Sequence, residues 1–233
     1  IDACLVGSEM CIRDSVNGDD VSSWTGAKNM IDQTIDAFGT IDVVVNNAGI
    51  LRDRMLVNMT EDEWDAVIQV HLKGTFAPSR HAAAYWRQLS KDRGEKVNAR
   101  IINTSSTSGL YGNIGQTNYG AAKAGIAAFT IIAARELARI GVTVNAISPT
   151  AYTRMTDNLR EYTEEDIERR DPRWVSPTIV YLSSAEAHDI TGRVIQAGNG
   201  RVAVCEGWRR GAEIDQIEAV SYTHLRAHET SID

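Results

Sequence analysis

The chain of 233 residues carries 24 Lys and Arg against 31 Asp and Glu, a formal charge of −7, and 43% of its residues are hydrophobic. This balance excludes a nucleic-acid partner, because neutralising phosphates requires a cationic face. Its apolar runs fall short of the ~20 residues that cross a bilayer, so no membrane partner is expected. The 3 cysteines are too few for a disulfide framework or a zinc site. We therefore expect no metal and a soluble protein in a reducing compartment such as the cytoplasm.

The two ends of the chain lack the periodicity of the rest. Residues 1–15 and 220–233 show neither strand alternation nor a helical period. The runs CLVGSEMCIRDS and SYTHLRAHET within them resemble translated sequencing-adapter sequence, with ordinary disordered tails as the alternative. We therefore predict one domain, residues 16–219, between two non-native segments.

Between these ends, short apolar runs alternate with longer helical patterns, which predicts an α/β fold with a doubly wound, mostly parallel sheet of the Rossmann type. The run at 41–45 is apolar on both faces and predicts a central strand. A capping box at Thr60 opens a helix toward Leu89, and a second one at Thr163 lies in a predicted polar lid, residues 150–173. Further strands are predicted at 16–21, 99–104, 142–147 (ended by Pro149) and 192–196, and further helices at 23–38, 118–139 and 176–185.

Three loops follow predicted strands and meet at one edge of the sheet, where ligands bind in open α/β folds: Asn46–Gly49, Ser105–Tyr119 and Ser148–Met155. In the second loop and the helix after it, Tyr119 and Lys123 stand four residues apart and share a helix face. A neighbouring ammonium lowers the pKa of a phenol from its ordinary value near ~10, which makes general acid/base catalysis feasible. Such a pair also occurs on many solvated helix faces, so the residues around it decide whether it is catalytic.

The run NNAG at 46–49, Ser106 after the next strand and the run GQTNYGAAKAG at 115–125 together resemble the short-chain dehydrogenase/reductase family. The resemblance covers residues 16–211 and implies an oxidoreductase that moves hydride between nicotinamide and a secondary alcohol or ketone. It implies that Ser106 binds the substrate oxygen, that Tyr119 exchanges a proton with it, and that Lys123 binds the nicotinamide ribose and lowers the tyrosine pKa. Ser105 competes for the serine role, but the family's spacing to the tyrosine favours Ser106.

His71 stands where the family's catalytic tetrad has an asparagine that helps hold a water in a proton relay. By the resemblance, His71 joins this relay, either through its main-chain carbonyl or by titrating directly. The alternative is a histidine that merely packs on its helix.

The resemblance also implies the cofactor contacts. Asp20 and Val21 match the pair that binds adenine, although residues 17–20 alone would be a surface turn. Asn47, Ala48 and Gly49 match the segment at the adenosine ribose, whereas Asn46 is interpreted as structural. The segment over the nicotinamide carboxamide corresponds to Pro149 and Thr153, with Thr150 where the family usually has glycine. The implied cofactor is NAD or NADP, with NAD favoured.

Within the family, His71 and the runs at 106–113 and 148–155 look most like the (3R)-hydroxyacyl-CoA dehydrogenase portion of peroxisomal multifunctional β-oxidation enzymes. The implied substrate is a small molecule, a 3-hydroxyacyl or 3-oxoacyl thioester. Alternatives are a dehydrogenase of hydroxysteroids or other alcohols, and a non-catalytic Rossmann-type binding or regulatory protein. A methyltransferase of similar topology ranks third, because it has no need of Tyr119 and Lys123.

A family member begins with a strand, a Gly-x-x-x-Gly-x-Gly loop, a helix and a second strand, and none of these is found in this sequence. We therefore expect the chain as given to bind dinucleotide weakly and to be inactive, with an unpaired apolar edge at residues 43–45. The complete protein is expected to form a homodimer or homotetramer through the helices at 60–89 and 118–139, as the family does.

Overall fold

A five-stranded sheet forms the centre of the protein in the computed structural model, which describes residues 15–153 and 162–207. The spatial order of its strands is β1-β2-β3-β4-β5, the first four parallel and β5 antiparallel to β4. The strands are β1 (Val43–Asn46), β2 (Ala99–Thr104), β3 (Val142–Thr150), β4 (Val194–Gly198) and β5 (Arg201–Cys205).

Helices cover both faces of this sheet, which confirms the doubly wound α/β fold. They are α1 (Trp24–Phe38), α2 (Glu61–Ile68), α3 (Gly74–Arg93), α4 (Thr107–Tyr111), α5 (Thr117–Leu137), α6 (Glu164–Arg169) and α7 (Ser176–Ser183). The predicted ends of α1 and α5 are confirmed within two residues. Gly39 and Gly141 adopt the left-handed conformation at the ends of these helical segments, with φ of 81° and 88°.

Alternation along the strands divides the apolar core into two layers. Ile101 packs in a cluster with α1, α3 and α5, to which Trp86 also belongs. The next residue, Ile102, points to the opposite face and packs with Leu182 of α7. Both faces of β2 are thus buried, as a central parallel strand requires.

The strand predicted at residues 16–21 is wrong, because the structure has turns there. Asn17 Oδ1 accepts from the Asp19 amide, and the Asp20 carboxylate accepts from both the amide and the hydroxyl of Ser22. Short Asn and Asp side chains offer the backbone these local partners in place of a strand ladder. The residues predicted as a central strand at 41–45 form β1 only from Val43, and β1 is the edge strand of the described sheet.

Pro149 does not end β3, contrary to prediction. The strand continues to Thr150, and Pro149 stands in register with Ala197 of β4. Pairing with β2 has already stopped at Ile147, so the missing amide N–H of proline costs no ladder bond there. The hairpin partner β5 was not predicted at all.

The helix that begins at Thr60 differs from its predicted form in the middle. Both predicted capping boxes, at Thr60 and Thr163, are confirmed. Between α2 and α3, however, residues Gln69–Lys73 form a π-helical turn with His71 at its centre. Such turns are rare in proteins, and many of those that occur lie at functional sites.

Several predicted features lie outside the described residues. These are the terminal segments except Ser15, the end of the predicted domain after residue 207, and the middle of the predicted lid, including Met155. None of the helices in the described ranges combines the length and apolar character that crossing a bilayer demands.

Candidate active site

The first two turns of α5 bring Tyr119 and Lys123 together, as their spacing predicts. Lys123 is 3% exposed, and its Nζ lies 5.4 Å from the centroid of the Tyr119 ring. The same ammonium donates to the carbonyl oxygen of Thr104, the last residue of β2, at 2.6 Å. Helix α5 is thereby tied to the carboxyl end of the neighbouring strand, and the ammonium is held beside the phenol.

The two candidate serines after β2 have different partners. The Ser105 hydroxyl is buried and donates to the carbonyl of Lys123 at 2.9 Å, a bond between loop and helix. The Ser106 side chain is half-buried, caps α4 and lies close enough to the phenol of Tyr119 to lower its pKa. Ser106, Tyr119 and Lys123 therefore lie on one wall, with Ser105 behind them.

The expected lowering of the Tyr119 pKa by Lys123 is not seen among the described residues. The pKa of Tyr119 is raised, first by burial, while the Ser106 hydrogen bond lowers it and the Asp53 carboxylate raises it. Burial also lowers the pKa of Lys123 to about 8. Desolvation of the phenolate by burial is the largest of these causes and outweighs the lowering by Ser106.

His71 is 2% exposed and lies between this wall and the loop that follows β1. Its Nε2 is 3.1 Å from the amide nitrogen and 2.8 Å from the carbonyl oxygen of Ile50. Its ring meets the ring of Tyr119 edge-on, at 5.1 Å between centroids and an angle of 87°. Burial and the charge of Lys123 lower the His71 pKa to about 4, so the imidazole is neutral at pH 7.

The residues around Lys123 suit the ribose of a nicotinamide cofactor. Within the described residues the ammonium makes one hydrogen bond, which leaves two N–H donors for a diol. Asn47 Oδ1 accepts from the Thr104 hydroxyl at 3.1 Å, so the exposed Asn47–Ala48 segment lies at the same edge. Asn46, in contrast, is buried and bonded to Ser79 and Asn103, in keeping with a structural role.

The other predicted cofactor residues flank this edge. Val21 packs against Gly74, where an added Cβ would come within 2.9 Å of its side chain, so the Asp20 turn lies beside the π-helical turn. The Asp20 carboxylate is engaged by Ser22, whose amide holds the pKa of that carboxyl below its usual range. Pro149 is half-buried at the end of β3, and Thr153 is exposed just beyond it.

Two polar residues of the site, Asn118 and Gln116, were not assigned a role from the sequence. Asn118 is fully buried: its Nδ2 donates to the carbonyls of Arg52 and Glu63, and its Oδ1 accepts from the Tyr119 amide at 2.7 Å. Asn at a helix start is a recognisable signal. Gln116 joins Ser108 to Asp53, and no local pattern predicts a bond between residues so far apart in the chain.

Comparison with known proteins agrees with this geometry. The family model described as short chain dehydrogenase matches residues 14–166, well over half of the chain. The chain belongs to the short chain dehydrogenase family. A crystal structure of a short chain dehydrogenase from Mycobacterium avium has a TM-score of 0.79 and 50% identity, covering 89% of this chain and 68% of that one.

Two curated relatives resemble the branch that the sequence indicated. A hydroxyacyl-CoA dehydrogenase of Mycobacterium tuberculosis is 46% identical over 180 residues, 75% of this chain and 56% of that protein. A peroxisomal hydratase-dehydrogenase-epimerase of Neurospora crassa is 35% identical over 212 residues, 90% of this chain and 23% of that protein. The chain thus spans only part of the length of each relative.

Proposed function

We propose that this short chain dehydrogenase is an NAD(P)-dependent oxidoreductase acting on the 3-hydroxyl or 3-oxo group of an acyl thioester. The observation that carries the proposal is the convergence of three groups: the Ser106 hydroxyl beside the Tyr119 phenol, whose pKa it lowers, and the Lys123 ammonium 5.4 Å from the phenol ring. A hydroxyl, a phenol and an ammonium on one wall are a proton-transfer device. A protein that only binds has no need of it.

Each group has a defined task in this proposal. Ser106 holds the substrate oxygen, and Tyr119 gives a proton to it in reduction or takes one from it in oxidation. Lys123 binds the nicotinamide ribose through its two remaining N–H donors. The bound nicotinamide supplies or accepts the hydride. Because burial raises the pKa of Tyr119, the neutral phenol that reduction requires is the form present at pH 7.

The substrate class rests on the relatives. The M. tuberculosis protein is named a hydroxyacyl-CoA dehydrogenase and the N. crassa protein a hydratase-dehydrogenase-epimerase, and we propose the same substrate class for this chain. Oxidation of a hydroxysteroid or another secondary alcohol is the alternative within the family.

The test uses two proteins: the 233-residue chain, and an extended chain that carries at its amino end the residues preceding the matched region of the M. tuberculosis relative. A (3R)-3-hydroxyacyl-CoA is offered with NAD or NADP, and nicotinamide reduction is followed by absorbance. We expect the extended chain to be active, with NAD preferred, and the 233-residue chain to be inactive. The (3S) enantiomer and a hydroxysteroid are the matched control substrates.

Each result that differs from this expectation would point to a different conclusion. Faster turnover of the hydroxysteroid would reject the thioester assignment and keep the oxidoreductase. Binding of reduced cofactor by the extended chain without turnover of any alcohol would favour a non-catalytic binding protein. Activity of the 233-residue chain by itself would overturn the expectation that it is inactive.

We also propose that the active protein is a homodimer or homotetramer in the cytoplasm. The support for assembly is a cleft of about 600 Å³ between α3 and α5, lined by apolar side chains such as Phe76 and Phe129 together with Arg80 and Arg87. Sedimentation of the extended chain tests the assembly, and a monomer at micromolar concentration would contradict it. For the compartment, the support is that Cys205 carries a free thiol in the described part of the chain.

A further inference from the structure

His71 contacts the loop after β1 through two parts of its ring. Its Nε2 lies within hydrogen-bonding distance of the backbone of Ile50. The Cε1 corner of the imidazole packs on Gly49, where an added Cβ would come within 2.5 Å of Cε1 and 3.2 Å of Nδ1. The position of this loop, which carries the proposed cofactor residues Asn47–Gly49, is therefore determined in part by a side chain on the π-helical turn.

The same imidazole also contacts the candidate proton donor. The Tyr119 ring meets it edge-on at 5.1 Å, a geometry that aromatic pairs favour. We propose that His71 is a positioning residue, which fixes the distance between the cofactor loop at Gly49–Ile50 and the Tyr119 phenol through Nε2 and its ring, and takes no part in proton transfer. This inference rests on the proposed function and assigns His71 a role different from the expected relay.

The surroundings of His71 oppose a role in proton transfer. Lys123 and Tyr119 face it from α5, the Ile50 backbone faces it from the loop, and Lys73 is the nearby charged residue on its own turn. Protonation would bury a second cation beside the Lys123 ammonium. Nδ1 is buried, and no described protein group lies within hydrogen-bonding distance of it.

Three substitutions of His71 separate positioning from a relay of the family type. A glutamine amide reaches the position of Nε2, whereas an asparagine amide reaches only that of Nδ1, and leucine fills the volume without polar atoms. We measure the hydrogen exchange of the Ile50 amide by NMR in the extended chain. His71→Gln is expected to retain wild-type protection, while His71→Asn and His71→Leu lose about tenfold, the equivalent of one hydrogen bond.

The pattern of these variants decides the proposal. If His71→Asn retained the protection of the Ile50 amide and His71→Gln lost it, the proposal would be overturned. The atom that holds the loop would then lie at the Nδ1 position. Equal protection in all three variants, or loss in all three, would also overturn it, since the Nε2 contact would not control the loop. The shift of the ¹³Cζ resonance of Tyr119, identified by its absence in Tyr119→Phe, should change in all three because each removes the imidazole ring.

A second experiment depends on packing alone, and its first half, in the wild-type background, needs no His71 variant. Gly49→Ala should shift the Tyr119 ¹³Cζ resonance and lower the melting temperature in the wild-type background, because its Cβ meets the imidazole. In a His71→Ala background the same change should have at most a third of that effect, since the ring is gone. Equal effects in the two backgrounds would reject the ring contact. None of these readouts requires turnover, so they remain informative if the proposed activity fails.

Discussion

The middle of the sheet and its carboxyl edge differ in composition although the same strands run through both. Val44, Ile101 and Val144 stand in one buried apolar row with Trp86 packed against them. Two residues further along β1 and β2, on the same face, stand Asn46 and Asn103, bonded to each other at 2.9 Å. The Asn103 side-chain amide in turn donates a hydrogen bond to the Thr130 hydroxyl of α5. The apolar row holds the fold together, and the amide row begins the polar region that supports the site.

This change has a physical consequence for the residues beyond it. His71, Lys123, Ser105 and Asn118 are all buried polar groups at or near the carboxyl edge. Burying such groups costs stability unless each finds a partner, and most of them bond to a backbone carbonyl. The fold thus supplies the site with rigid polar groups. Burial of the apolar row offsets the free energy that burying these groups costs. Substitutions in the two regions should therefore affect different quantities.

The largest loss of stability is expected from the apolar region. Trp86 is 1% exposed, and its indole Nε1 donates to the Ile41 carbonyl at 2.7 Å. Trp86→Ala should lower the unfolding free energy of the extended chain by about 4 kcal/mol, because it leaves a cavity and an unpaired carbonyl. Urea unfolding measures this. A loss below about 1 kcal/mol would mean that α3 is not held by the apolar row.

The largest loss of activity is expected at the edge, with little change in stability. Tyr119→Phe removes the phenolic hydroxyl and should reduce turnover of the extended chain about a thousandfold. In wild type, alcohol oxidation should rise with pH well above neutrality, because burial raises the pKa of Tyr119 and oxidation needs the phenolate. Steady-state rates from pH 6 to 10 test both statements, and an unchanged rate in the variant would remove the catalytic assignment.

The buried ammonium should make stability depend on pH in a way that the apolar region cannot. Burial lowers the pKa of Lys123 from 10.5 to about 8, so between these values the unfolded chain binds the proton more tightly. Stability should then rise with pH from 8 to 10.5, by up to about 3 kcal/mol from this group. Lys123→Met should lack the increment when urea unfolding is compared at matched pH. Parallel curves for the two proteins would contradict the burial of a charged lysine.

The smallest effect is expected at the boundary between the two regions. Asn103→Leu keeps the approximate volume but removes the bonds to Asn46 and Thr130. Unfolding free energy should fall by about 2 kcal/mol, because two buried polar groups lose a partner. Turnover should change less than tenfold, since neither group touches the substrate. A gain in stability would show that the amide row is retained for a reason other than packing.

Local patterns in the sequence predicted a large part of this molecule. The capping box at Thr60, the glycine end of α1 and the alternation of β2 are set by neighbours a few residues away, and all three were predictable. The strand at residues 16–21 and the end of β3 at Pro149 were predicted wrongly. In the first case, side chains satisfy the backbone locally; in the second, pairing with β2 stops before the proline. Only the folded chain contains that information.

The sequence by itself determined the fold class, because strand periodicity is a local property, and it indicated the family through short runs of residues that resemble it. The four-residue spacing also predicted that Tyr119 and Lys123 share a helix face. The tertiary structure alone decided which atoms these groups contact. The Lys123 ammonium bonds to Thr104, nineteen residues away in the chain, and His71 to Ile50, twenty-one residues away. The upward shift of the Tyr119 pKa depends on burial, which arises only when the helices and the sheet have come together.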